Sequence, residues 1–163
     1  MSKKRVSEEP DSPEVSRCLK PRETPMLWRD YFDKDNESCQ QFISFFSGLN
    51  SIDQDSLFGD IMALRGDAAL GKLKRNGQDF KPVKTQPDIF ELRWRFSIDE
   101  KVVLLRQYHG EPDELPDGLV AVHIHLKQSS ETEEDEENRK IQNGEMKFAS
   151  LRFSLGRQNL WIL

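Results

Sequence analysis

The chain has 163 residues and a formal net charge of −5. This length predicts one domain with one substantial core, and the acidic balance argues against a nonspecific nucleic-acid binder, because affinity for phosphate normally comes from an excess of lysine and arginine. No run approaches the roughly 18 apolar residues of a membrane span, and no apolar secretory signal opens the chain. The two cysteines are too few for a disulfide framework. We therefore expect a soluble protein of the reducing cytoplasm.

Residues 1–25 contain four prolines among serine, glutamate, lysine and arginine, with almost no periodic apolar content. Such a composition predicts a disordered N-terminal tail, followed by a single domain over residues 26–163. The basic cluster Lys3-Lys4-Arg5 fits a nuclear signal, an RNA-contacting arm or a merely solubilising terminus.

Two helices are predicted next. Asp35 or Asn36 can cap the first helix, and Ser51 with Gln54 fits a capping box for the second. The short connection predicts an antiparallel hairpin. The apolar residues at helical spacing are Cys39, Phe42, Ile43, Phe46 and Leu49 in the first helix and Leu57, Phe58, Ile61 and Met62 in the second.

Two later runs alternate apolar and polar residues, which is typical of half-buried strands. Residues 101–108, between them, are apolar on both faces for four residues and predict a central strand. Its phase is open, because either Lys101 or Arg106 can share the polar face of its neighbours. In residues 89–96 the apolar set is Phe90, Leu92, Trp94 and Phe96, and the polar set is Glu91, Arg93 and Arg95. In residues 119–127 the apolar set is Val120, Val122, Ile124 and Leu126, and the polar set is His123, His125 and Lys127.

Six acids fall within Glu131 to Glu137 and predict an acidic insertion near residues 129–138. A final helix is predicted from Glu133 to about Phe153. The expected fold class is therefore α+β, with a helical hairpin packed on a small antiparallel sheet and a C-terminal helix. We expect the hairpin to pack on Phe90, Leu92, Trp94, Val122 and Ile124.

If the alternating strands share a sheet, their polar faces combine arginines, histidines and a lysine on one surface. Phosphodiester cleavage through a 2′-hydroxyl needs proton transfer and cations that stabilise the developing charge. His123 or His125 can transfer protons near neutrality, while Arg93, Arg95 and Lys127 can hold phosphate. The bland alternative is a wetted sheet face, because alternation alone demands polar residues there. A metal site at His123-x-His125 is a further alternative, but it lacks a third ligand at usable spacing, and we predict neither metal nor cofactor.

The order of elements resembles the RelE/HigB superfamily of bacterial and phage toxins, in particular its HigB-like, phage-derived branch. The resemblance covers roughly residues 28–152. It rests on the two-helix hairpin, a connection rich in glycine and lysine, the run Phe90-Glu91-Leu92-Arg93, the central apolar strand, the strand ending at Lys127, and the helix containing Glu145-Met146-Lys147-Phe148-Ala149.

This resemblance implies a compact toxin that enters the ribosomal A site, cuts messenger RNA without a metal and is restrained by a cognate antitoxin. Arg93 matches the arginine of the family's Glu-Leu-Arg motif, Lys101 lies near the place of the arginine that opens the central strand, and Lys127 matches the first lysine after the last strand. The predicted catalytic residues are Arg93, His123 and His125, and the predicted RNA-binding residues are Lys84, Arg95, Lys101 and Lys127. The alternative is a noncatalytic protein-interaction module on the same scaffold, which the net acidity and the tail favour.

Overall fold

The computed structural model describes residues 16–75, 77–127 and 136–162, which form a mixed α+β fold. Lys3-Lys4-Arg5 and most of the acidic insertion lie outside the described residues. Within them no helix is long and apolar enough to cross a membrane. The elements are β1 (Leu27–Asp30), α1 (Glu37–Ser47), α2 (Ser51–Ala69), β2 (Phe80–Pro82), β3 (Ile89–Ile98), β4 (Lys101–Gly110), β5 (Gly118–Lys127) and α3 (Glu136–Gln158).

Asparagine side chains cap both N-terminal helices. Asn36 caps α1, as predicted, by accepting from the backbone N–H groups of Ser38 and Cys39. The predicted cap of α2 is wrong by one residue, because Asn50 accepts from Asp53 N at 2.8 Å. Asn50, which precedes Ser51, is the cap because its side-chain oxygen accepts from a backbone N–H group of the first turn that has no partner within the helix.

The three predicted strands pair antiparallel, but the whole sheet is mixed. Its strand order is β1-β5-β4-β3-β2, with β1 parallel to β5. The sequence patterns missed the two edge strands for physical reasons. Strand β1 is only four residues long and largely exposed, and β2 is three residues long and ends at Pro82, so neither carries an apolar alternation.

Helices cover both faces of the sheet. Helix α1 lies against β5 and α2 against β3, whereas α3 crosses β3, β4 and β5 on the other face. The first core, on the side of α1 and α2, includes Met26, Leu57, Ile61, Phe90, Leu92, Trp94, Leu105, Leu119 and Ile124. The second core, under α3, includes Tyr31, Ile89, Tyr108, Val120, Val122, Ala149, Phe153 and Trp161.

A β-bulge in β5 corrects one of the predicted packing contacts. Tyr108 pairs with His123, but His109 pairs with Ala121, so Val122 is an extra residue on β5. A bulge shifts the alternation of side chains by one residue. Val122 consequently joins the core under α3, whereas Ile124 lies in the first core, on the side of α1 and α2, as predicted.

The boundary predicted for the disordered tail is also wrong, because residues 16–25 are ordered. A 3-10 turn spans Arg17–Leu19, and Ser16 and Cys18 are fully buried. The Arg17 guanidinium donates to the carbonyl oxygens of Pro112 and Leu115, in the loop between β4 and β5, and of Gly118, the first residue of β5. Backbone caps and side-chain hydrogen bonds hold this segment, and they leave no periodic apolar signal.

Gly71 tests how tightly this segment docks. Its φ is +67°, and a Cβ there would lie 1.8 Å from the Lys20 carbonyl oxygen. We expect Gly71→Ala to lower the free energy of unfolding by about 1–3 kcal/mol. Gly59 in α2 is the matched control, because nothing lies within 4 Å of its Cβ position, and Gly59→Ala should stabilise by about 0.5–1 kcal/mol. Urea unfolding of both variants measures the difference, and equal effects would contradict the docking.

Candidate functional site

The central strands place nine side chains in a regular array on the face that α3 partly covers. Cross-strand pairing sets three rows, since residues directly opposite one another share a face. We call these nine positions the sheet grid. Its rows, from β3 through β4 to β5, are Glu91–Tyr108–His123, Arg93–Arg106–His125 and Arg95–Leu104–Lys127. The structure thereby shows which side chain of the central strand shares the polar face of its neighbours: it is Arg106 and not Lys101.

Glu91 anchors the grid. Its carboxylate is almost completely buried, and Oε1 lies 2.9 Å from Arg93 Nε and 2.9 Å from Arg106 Nε. A buried carboxylate is tolerated only when paired and hydrogen-bonded. Two guanidinium groups share this one negative charge, so the cluster retains a net positive charge.

The two arginines open onto a cavity of about 360 Å³, which we call the arginine cavity. Such a volume lies within the range of small-molecule sites. Four cationic side chains line it together with one carboxylate. The cations are Lys81, Arg93, Arg95 and Arg106, and the carboxylate is Asp79. This cavity favours an anionic ligand.

The two histidines of the grid are buried and already hydrogen-bonded. His125 Nδ1 lies 3.1 Å from the Leu126 carbonyl oxygen, so Nδ1 carries the proton in the neutral ring. The Tyr108 hydroxyl, 3.0 Å from His125 Nε2, therefore donates to that nitrogen. Burial lowers the pKa of His125 to about 4, although the Glu145 carboxylate opposes the shift. Burial raises the pKa of Tyr108.

His123 is fully enclosed between α1 and α3. Its Nε2 contacts Glu145 Oε2, and its Nδ1 lies 3.4 Å from Cys39 Sγ. Ser38 donates to the second oxygen of Glu145 at 2.5 Å. Burial alone would raise the pKa of Glu145, but the hydrogen bonds from His123 and Ser38 lower it. The expectation of a wetted face is therefore wrong for both histidines.

A second cavity of about 420 Å³ lies beside His125, and we call it the histidine cavity. Its walls come from α1, the end of β5 and the first turns of α3. Lys127 lines it, but so do the carboxylates of Glu37 and Glu145. Its charge is thus less suited to phosphate than that of the arginine cavity.

The structure divides the predicted site residues into groups. Arg93 and Arg95 line the arginine cavity, His125 and Lys127 line the histidine cavity, and His123 lies buried beside it. Lys84 and Lys101 line neither cavity. By strand alternation Lys101 belongs to the opposite face, with Val103 and Leu105.

Sequence reasoning missed three groups. Lys81 lies on β2 opposite Glu91 and so adds a cation beside the grid. Arg106 and Tyr108 belonged to the phase that the sequence left open. The face on which these two residues lie follows from the register in which β4 pairs with β3 and β5. The periodicity of a single strand does not give that register.

No family model, curated protein or solved structure matches this chain.

The buried neutral His125 predicts acid lability in a defined range. Unfolded histidine takes up a proton below about pH 6.5, whereas His125 in the fold does so only near pH 4. Its contribution to stability is therefore complete above pH 6.5 and is lost as the pH falls towards 4, by up to about 1.4 kcal/mol per pH unit. Replacing it by glutamine, which cannot titrate, should flatten this dependence in urea unfolding.

The range from pH 6.5 to 4.5 isolates this effect. Glu111 and Glu145 have pKa values lowered from 4.5, so the stability that they contribute is lost only at more acidic pH. Equal pH slopes for the wild type and His125→Gln in this range would contradict a buried neutral His125.

Proposed function

We propose that the protein binds RNA through the arginine cavity and cleaves the bound strand, as a toxin of the RelE/HigB type. The observation that carries this proposal is the convergence of Lys81, Arg93, Arg95 and Arg106 on one cavity. Guanidinium groups bind phosphate through charge-assisted, often bidentate hydrogen bonds. The formal charge of −5 does not oppose this, because exposed charges are screened beyond roughly 8 Å at physiological salt.

Arg93 is the arginine best prepared for a role in the transition state. Its Nε is held by the buried Glu91 carboxylate, which fixes the plane of the guanidinium at the cavity wall. Preorganised donors stabilise developing phosphorane charge without reorganisation during the reaction. In this scheme the arginines supply the positive charge, as the resemblance to metal-independent toxins implies.

Proton transfer through His123 or His125 remains a prediction, and the geometry ranks the two residues. His125 borders a cavity and its neutral form is secured by its low pKa. His123 is fully buried and bonded to Glu145. His125 is therefore the better candidate for proton transfer, and His123 for positioning. Glutamine at position 125 can keep a hydrogen bond to Tyr108 but cannot exchange a proton near neutrality.

The messenger RNA, the ribosome and a cognate antitoxin are the partners of this proposal. They follow from the resemblance in Glu91-Leu92-Arg93 and in the order of elements. The alternative function is a noncatalytic interaction module on the same scaffold. One observation favours it: both imidazoles are buried and engaged in internal hydrogen bonds.

Arg95 provides the test of RNA binding, because it is exposed and lines the arginine cavity. Arg95→Ala should weaken binding of a labelled single-stranded RNA roughly tenfold, as expected for one lost charge-assisted contact. The slope of log K against log salt should fall by about 0.7. Lys101→Ala removes the same charge from the opposite face and should change neither quantity. Fluorescence anisotropy at several salt concentrations measures both, and equal effects of the two variants would overturn the assignment.

Cleavage is tested by primer-extension mapping of cellular messenger RNA after induced expression. Arg93→Lys keeps a cation beside Glu91 and so protects the fold, but loses the planar donor group. It should slow cleavage by on the order of 10²-fold, while His125→Gln should reduce the rate more than the RNA affinity. RNA binding without cleavage by the wild type, with or without ribosomes, would favour the noncatalytic module.

A further inference from the structure

A second group of reactive side chains lies away from the sheet grid, where the N-terminal segment meets the end of β4. Cys18 Sγ is 3.6 Å from His109 Nε2 and 3.6 Å from Glu111 Oε2. His109 Nε2 is 3.4 Å from the same carboxylate oxygen. Cys18 and His109 are fully buried, and the Glu111 side chain is 7% exposed. The three ligand atoms thus form a compact triangle inside the protein.

The edges of this triangle match those of a tetrahedral zinc site. Zinc binds sulfur at about 2.3 Å and nitrogen or oxygen at about 2.0–2.2 Å. Tetrahedral angles then place sulfur about 3.5–3.7 Å from nitrogen or oxygen, and nitrogen about 3.3–3.5 Å from oxygen. All three observed distances agree with these values.

Hydrogen bonding alone accounts poorly for the same arrangement. Three donors converge on Glu111 Oε2, namely the Ser16 hydroxyl at 2.7 Å, the Cys18 thiol and the His109 ring. The separation of 3.4 Å from His109 exceeds the usual range of about 2.7–3.2 Å for an N–H donor and an oxygen acceptor. Of these three contacts only the one from Ser16 is a strong hydrogen bond, while the other carboxylate oxygen, Oε1, accepts from the Arg17 N–H at 2.7 Å.

We propose that Cys18, His109 and Glu111 bind one zinc ion, with an external ligand such as water at the fourth position. The donor set of thiolate, imidazole and carboxylate is typical of zinc. A thiolate and a carboxylate neutralise the dication, so the buried site carries no net charge. Because Cys18 belongs to the N-terminal turn and the other ligands to the end of β4, the ion would clamp that turn onto the sheet.

Aromatic rings surround the His109 ligand. Phe90 stacks on the His109 ring, Phe80 is tilted against it and Trp28 meets it edge-on. Among the described residues His109 Nδ1 has no hydrogen-bond partner, so Nε2 is the engaged ring nitrogen. Glu111 also lines a small cavity whose walls include the carboxylates of Asp88 and Asp113 together with Arg157.

The other buried cysteine has a similar set of neighbours but the wrong geometry for a shared ion. Cys39 and Glu145 contact His123 at opposite ring nitrogens, Nδ1 and Nε2. One ion cannot reach both nitrogens of a single imidazole. Cys39 is therefore a matched control for Cys18, because each thiol lies beside a histidine and near a glutamate.

Metal binding at this site must expel a proton. Zinc binds the thiolate, so the Cys18 thiol loses its proton when the ion binds.

The experiment uses the full chain, stripped of metal under reducing conditions. Zinc is titrated against a chromogenic chelator, and cobalt(II) serves as a spectroscopic probe. We expect one equivalent of zinc, a thiolate-to-cobalt charge-transfer band, and a zinc-dependent rise in Tm. Cys39→Ser should retain all three, whereas Cys18→Ser and Glu111→Gln should lose all three.

Two results would overturn the proposal. The first is the absence of stoichiometric zinc binding by the wild type, which would leave hydrogen bonds as the only role of the cluster. The second is a cobalt spectrum that Cys18→Ser leaves unchanged. Circular dichroism of each variant without metal separates the loss of binding from the loss of the fold.

Discussion

The buried carboxylate of Glu91 is the interaction on which the polar face of the sheet depends. Removing a carboxylate from water is costly, and its partners must lie in the same sheet for the fold to tolerate it. Arg93 is two residues away on the same strand, and Arg106 lies on the neighbouring strand. The register of β3 and β4 therefore fixes both guanidinium groups at the cavity wall. A stability requirement and a binding surface thus share the same three residues.

The two faces of the sheet differ in how they hold polar groups. Under α3, each buried polar side chain of the grid has a charged or hydrogen-bonding partner, either within the grid or, for His123, in Glu145 of α3. On the opposite face Gln107 is fully buried, and neither atom of its amide has a hydrogen-bond partner among the described residues. An unpaired buried amide destabilises a fold by about 1–3 kcal/mol. The apolar contacts of the core around Leu92, Leu105 and Ile124 must offset that loss.

Periodicity predicted the parts of the fold that are long and regular. Alternation in residues 89–96 and 119–127 located β3 and β5, and the asparagine before Glu37 located the start of α1. It failed where few residues carry the signal, as in β1 and β2, and where polar bonds rather than apolar spacing hold the chain, as around Cys18. For the candidate site, the alternation predicted the face on which Arg93 and Arg95 lie. It did not predict that the histidines are buried, because that burial depends on Glu145 and Cys39 from distant helices.

The extra residue Val122 shifts the alternation of side chains along β5 by one position. Before it, Leu119 and Val120 follow one alternation; after it, Ile124 and His125 follow the complementary one. Strand β5 can therefore pack valines against α3 and, a few residues later, place two imidazoles and a lysine on that same face of the sheet. Without the bulge, the same sequence would follow one uninterrupted alternation. It would then turn either the valines or the two imidazoles to the wrong side of the sheet, without any change in the sequence.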